Sequence, residues 1–181
     1  MKEQIKNKKK FGSGFTLVEA LVAVSIILVG VTAAFGTAQL GLSSTSAVRN
    51  RITAMFLAQE ALEGVKNIKD SNLQKISLNN SGINWLEGIS IAGAAPCGSE
   101  CGYDVITDSL SSCSDIGGCK IYLDDNFYRQ MADGVTETGF VRQISVEEIV
   151  TGFEARVTVV VSRSSGNFPP FTVVSLLHNW F

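Results

Sequence analysis

The chain has 181 residues, a formal net charge of −2 and 45% hydrophobic residues. That suits one domain plus an apolar anchor. A mildly acidic domain lacks the basic patch of a general nucleic-acid binder, so no nucleic-acid partner is expected. No internal repeat, Rossmann glycine pattern or P-loop occurs, and no cofactor is expected.

The chain opens with a basic leader, residues 1–14. Lys2, Lys6, Lys8, Lys9 and Lys10 against Glu3 give it +4, so a chain beginning at Phe15 would carry −6. Then comes Gly14-Phe15-Thr16-Leu17-Val18-Glu19, followed by 29 residues without charge, Ala20 to Val48. A helix of that length is about 43 Å long, against about 30 Å for the hydrocarbon core of a bilayer. The small-residue site Gly12-Ser13-Gly14 precedes the apolar run, so a cut there leaves the run on the mature protein, unlike an ordinary secretory signal. No basic cluster follows the run, and the positive-inside rule places the N-terminus in the cytoplasm and the C-terminus outside.

The stretch Gly14-Phe15-Thr16-Leu17-Val18-Glu19-Ala20-Leu21-Val22-Ala23-Val24 resembles the N-terminus of type IV prepilins and type II secretion pseudopilins. The resemblance implies that a membrane prepilin peptidase cuts between Gly14 and Phe15 and methylates the new Phe15 amine. It implies partners too: other pilin or pseudopilin subunits, in a homo- or hetero-filament, and an inner membrane assembly platform. It gives Glu19 the role of meeting the N-terminal amine of a neighbouring subunit. From the residues alone, a carboxylate beside an apolar span asks for a partner or for interfacial water. Pairing would also fix the register of one helix against the next.

Residues 15–42 are expected as the transmembrane and polymerisation helix, and 43–70 as its amphipathic continuation. Many type IV pilins carry a helix-loosening proline some twenty residues into the mature chain. Here Gly36 stands near that offset, which suggests local melting. Val48, Ile52, Met55, Ala58, Leu62, Val65 and Ile68 recur at steps of three or four and predict the core face. Glu63 with Lys66, and Lys66 with Asp70, have helix-pair spacing. Leu57-Ala58-Gln59-Glu60-Ala61-Leu62-Glu63 resembles the corresponding helix of minor pilins and minor pseudopilins.

Residues 71–181 are read as an extracytoplasmic globular domain. Its middle, to about residue 120, reads as irregular, with Trp85 and Leu86 seating it on the domain. A loop at 92–120 holds all four cysteines, Cys97, Cys101, Cys113 and Cys119. An even number in an exported domain predicts disulfides, and proximity favours Cys97 with Cys101 and Cys113 with Cys119. The alternative is a four-cysteine zinc site, but the Cys113–Cys119 spacing is too wide for a knuckle, and no metal is expected. Asp124-Asp125-Asn126 is the densest acidic cluster. It fits a solvated turn, with calcium as the alternative.

Residues 120–181 read as an antiparallel sheet. Lys120–Leu123 and Phe127–Gln130 flank the acidic turn. Phe140, Ile144 and Val146 share one parity, as do Ala155, Val157, Val159 and Val161, with the turn at Gly152. A last strand runs from Phe171 to Leu177, set by Pro169-Pro170. Leu177-His178-Asn179-Trp180 resembles the closing strand of minor pilins. The single histidine, His178, has no catalytic company, and no serine sits in a nucleophile elbow, so no enzyme is expected.

The fold class expected is thus α+β and pilin-like: a long N-terminal helix packed on a C-terminal antiparallel sheet. The function the resemblance implies is a structural subunit, of minor-pilin type, in a type IV pilus-like filament. It would be held first in the cytoplasmic membrane and then in an extracellular filament or periplasmic pseudopilus. The alternatives are a type II secretion or DNA-uptake pseudopilin, and a membrane-anchored binding domain that never polymerises.

Overall fold

A computed structural model of the chain describes residues 14–78, 82–89, 100–114, 118–125, 127–130, 136–166 and 168–180. It divides into two units, Met1–Ser46 and Ala47–Phe181. Helix α1, Leu17–Ser77, contributes to both and has 61 residues.

In the first unit, every described residue is exposed, including Leu21, Val22, Ile26, Ile27, Leu28 and Phe35. Several of its hydroxyls are satisfied by the helix itself. Ser25 Oγ donates to the Leu21 carbonyl at 2.8 Å, Thr32 Oγ1 to that of Leu28 at 2.9 Å, and Thr45 Oγ1 to that of Gly41 at 2.8 Å. Such back-bonding satisfies these hydroxyls without water, which suits an apolar solvent. The helix continues unbroken through Gly36. Glycine keeps the backbone N–H that proline removes and weakens a helix by only about 1 kcal/mol.

In the second unit, α1 buries Ala54, Leu57, Ala58, Ala61, Gly64, Val65, Lys69, Asn72 and Leu73. This corrects the expected face. Ala58 and Val65 belong to it, but Val48 and Ile52 are exposed, while Met55, Leu62 and Ile68 are only half-buried. The buried line is rotated toward small residues, which let the helix backbone approach the sheet. A Cβ on Gly64 would fall into the ring of Tyr103. The helix also runs beyond Asp70, because Leu73 and Ile76 still meet the core. Asn72 Nδ2 donates to the carbonyls of Trp85 (3.3 Å) and Glu87 (2.8 Å). Trp85, Leu86 and Ile89 are buried there, so this part of the middle segment is core.

Among the described residues, seven strands form one sheet: β1 Cys101–Asp104, β2 Ser109–Ser112, β3 Lys120–Asp124, β4 Phe127–Arg129, β5 Thr136–Val150, β6 Glu154–Arg163 and β7 Phe171–His178. All pairings are antiparallel. The long β5 is the hub, pairing with β6, with β3 and, at Ile144, with β1. The β1–β2 hairpin corrects the reading of that stretch as irregular; the sheet begins at Cys101, not near residue 120. Short strands rich in serine and glycine carry little apolar alternation, so periodicity could not show them. Ala155, Val157, Val159 and Val161 on β6 are fully buried, and Phe140, Ile144 and Val146 on β5 nearly so. Gly152, at φ 80°, makes the β5–β6 turn.

Candidate assembly site

The residues that begin α1 form a defined helix start. Thr16 is its N-cap: Thr16 Oγ1 accepts from the Glu19 backbone N–H at 3.3 Å, and the Thr16 carbonyl accepts from Ala20 N–H at 3.1 Å. Thr16 followed three residues later by Glu19 has the order of a capping box. It also places a carboxylate in the first turn, where the helix dipole favours negative charge. The motif therefore encodes its own helix start as well as its chemistry.

Gly14 and Phe15 precede the helix, and Phe15 is 76% exposed. Among the described residues, no atom beyond its chain neighbours lies within 4 Å of where a Gly14 side chain would begin. Glu19 is exposed and flanked by exposed Phe15, Leu17, Val18 and Leu21. This start leads into a helix long and apolar enough to cross a membrane.

The other residues singled out by sequence lie in the second unit. A disulfide joins Cys113 to Cys119, with 4.7 Å between their Cα atoms. Cys101 is also disulfide-bonded, and Cys97 lies outside the described residues. The Cys113–Cys119 bond removes both sulfurs from the alternative zinc set. Asp124 is engaged by Arg129 at 2.9 Å, Asp125 has φ 43°, and Asn126 lies outside the described residues. The expected Glu63–Lys66 and Lys66–Asp70 pairs do not form; Lys69 pairs with Asp70 instead, at 2.8 Å.

A polar network missed by the sequence reading joins α1 to the sheet. Arg142, fully buried on β5, donates from Nε to Gln130 Oε1 at 2.9 Å. Its remaining nitrogens reach Glu60 Oε2 and the Tyr103 carbonyl, both at 2.6 Å, and the Leu57 carbonyl at 2.9 Å. Gln130, also fully buried, donates to the carbonyls of Cys119 (2.9 Å) and Arg142 (2.8 Å). Burial pulls the Arg142 guanidinium below its ordinary value, while Glu60 opposes that shift. Burial, together with the hydrogen bond to Asp108, pushes the Tyr103 phenol well up. Burial also pushes Asp104 up, but hydrogen bonds from Arg129 and Thr107 outweigh it and hold the carboxyl below its ordinary value. The available signal was parity: Arg142 shares the alternation of Phe140, Ile144 and Val146, so it had to face the core.

Residues 10–35 match the family described as the prokaryotic N-terminal methylation motif. No curated protein and no solved structure matches the chain.

Proposed function

We propose that the chain is a type IV pilin-like structural subunit, processed after Gly14 and assembled through the exposed half of α1. The observation that carries this reading is the methylation motif over residues 10–35 running directly into an apolar helix. The motif implies a prepilin peptidase as processing partner. Cleavage would create an amine at Phe15, one residue before the N-cap. The positive end of its own helix repels that amine. A carboxylate on an adjacent chain, that of Glu19, would attract it, and in lipid an unpaired charge is costly. Each subunit then offers an amine to one neighbour and a carboxylate to another, a heterologous contact that builds an open array.

The finer elements of the proposal are a cytoplasmic membrane stage with the N-terminus inside, an assembly platform, and a minor rather than major role. The last rests on the resemblances at Leu57–Glu63 and Leu177–Trp180. Mass spectrometry of the N-terminal peptide, beside sheared surface filaments, tests the core of it. A methylated Phe15 terminus in the filament fraction is the expected result. An intact Met1 terminus would leave a membrane-tethered domain instead. Glu19→Gln should be processed normally yet lose about tenfold or more of its filament incorporation, as expected when a desolvated charge loses its partner; unchanged incorporation would remove Glu19 from assembly.

A further inference from the structure

We infer that Arg49 and Arg51, at the start of the second unit, hold phosphates of anionic lipid headgroups on the outer surface of the membrane that α1 crosses. The inference rests on the membrane stage of the reading above, and on neither cleavage nor polymerisation. Both arginines are exposed, and neither has an ion-pair partner among the described residues. They are the first charges after Glu19, and no acidic residue occurs between Glu19 and Glu60. Glu60 is already engaged by Arg142. At 1.5 Å per residue, the helix from Glu19 to Arg49 covers about 45 Å, the thickness of a bilayer counted to the outer edges of its headgroups. Side chains on a helix slope toward its N-terminus, so both arginines lean back toward the bilayer, and their long stems carry the charge to phosphate.

Two residues apart on a helix, Arg49 and Arg51 project about 200° from each other. A single pocket cannot take both. A headgroup layer can, because it meets the helix on every side that the sheet leaves open. Arg51 lies toward the sheet and lines a hollow of about 260 Å³ with Phe168, Pro169, Pro170 and Phe171. None of those four carries a charge, so Arg51 alone sets the sign of the hollow, and an anion is what it attracts. Arg49 lies on the other flank of the helix. Ala54, Leu57, Ala58 and Ala61 hold one face of α1 in the core. Val48 and Ile52, one turn apart on the opposite face between the arginines, are 54% and 47% exposed. They continue the exposed apolar surface of the span for one further turn, so the lipid that covers the span can cover them too. Apolar residues flanked by arginine stems are the chemistry of a bilayer interface.

The test uses the full-length protein in vesicles of equal parts phosphatidylglycerol and phosphatidylcholine, with p-benzoylphenylalanine in place of Ile52. Irradiation should join that position to lipid, and the added mass tells which lipid. Phosphatidylglycerol adducts should exceed phosphatidylcholine adducts about fivefold, the scale of one arginine at an anionic surface. Arg49→Gln together with Arg51→Gln should bring the ratio near one. No lipid adduct, an adduct to a second copy of the chain instead, a ratio near one with both arginines present, or a ratio indifferent to the two substitutions would overturn the inference. The same probe in place of Leu28, in the middle of the apolar run, is the reference. If it joins no lipid, the membrane reading itself fails; lipid there without the expected adduct at position 52 fails this inference alone.

Discussion

One helix serves two solvents. Between Leu17 and Ser46, α1 exposes every apolar side chain and buries none; between Ala54 and Leu73 it buries a line of alanine, glycine, leucine and valine. The helical hydrogen bonds are the same in both. The difference lies in what the side chains leave for others to supply. The first half carries no charge from Ala20 to Val48 and closes most of its hydroxyls on its own carbonyls. From Ala20 to Thr37 it presents almost only apolar surface, which lipid or other helices can hold. The second half has a fixed partner, its own sheet, and a buried arginine specifies how the two meet. Stability of the second unit should therefore respond to single substitutions that the first half tolerates.

The largest effect is expected at Arg142. Arg142→Met removes a buried guanidinium that serves Glu60, Gln130 and two backbone carbonyls. Breaking one side of such a pair costs about 3–5 kcal/mol. Urea unfolding of the detergent-solubilised chain, followed by fluorescence of buried Trp85, should show it as a lowered midpoint. Adding Glu60→Leu should recover part of the loss, because the unpaired carboxylate is then gone. A midpoint unmoved by Arg142→Met would mean that the network is incidental to the helix–sheet contact.

The glycines sharpen the contrast. Gly64→Ala would drive a methyl into the Tyr103 ring, and overpacking of that kind costs about 1–3 kcal/mol. Gly30 has no neighbouring atom within 4 Å. Gly30→Ala should leave the urea midpoint of the second unit where it was. If Gly30→Ala nevertheless lowers filament incorporation, the exposed half uses its glycines for close helix approach.

This contrast also explains what could be read in advance. The first half was legible because its message is local: a glycine, a capping threonine, a glutamate and an unbroken apolar run are adjacent in the chain. The sheet from Phe140 onward was legible by alternation. Arg142 was not, because a charged residue at a core parity reads as an exception until Glu60, 82 residues away, is seen to meet it. The helix face was misread for a related reason. Large residues at Val48 and Ile52 weigh more in a hydrophobic pattern than Ala54, Ala61 or Gly64, yet close approach to a sheet selects the small ones. The β1–β2 hairpin lacks a hydrophobic pattern of its own. Its place follows from pairing with β5 and from Tyr103 lying against Gly64.

A smaller effect is expected at the Cys113–Cys119 bond. It closes a short loop, so replacing both cysteines by serine should lower stability by roughly 2 kcal/mol, through the unfolded chain. The first unit contains no cysteine. Its helical content should therefore be unchanged in the same variant, measured by circular dichroism in detergent.

The smallest effect is a pH dependence, and it too should belong to the second unit alone. Asp104 is nearly buried on β1, and Arg129 lies 3.3 Å from its carboxylate. Burial alone would raise its pKa, but the hydrogen bonds from Arg129 and Thr107 win and lower it. A carboxyl whose folded value lies below its unfolded value stabilises the fold above the unfolded pKa. It loses that contribution as pH falls through the folded value. The window thus opens below about pH 4, the ordinary aspartate value. Asp104→Asn keeps the shape but cannot carry the charge, so at pH 6 it should unfold at lower urea than the native chain. As pH falls from 4 toward 2 the native midpoint should approach that of the variant, since both then present a neutral group to Arg129. A difference that stays constant down to pH 2 would assign the loss to hydrogen-bond geometry instead of charge.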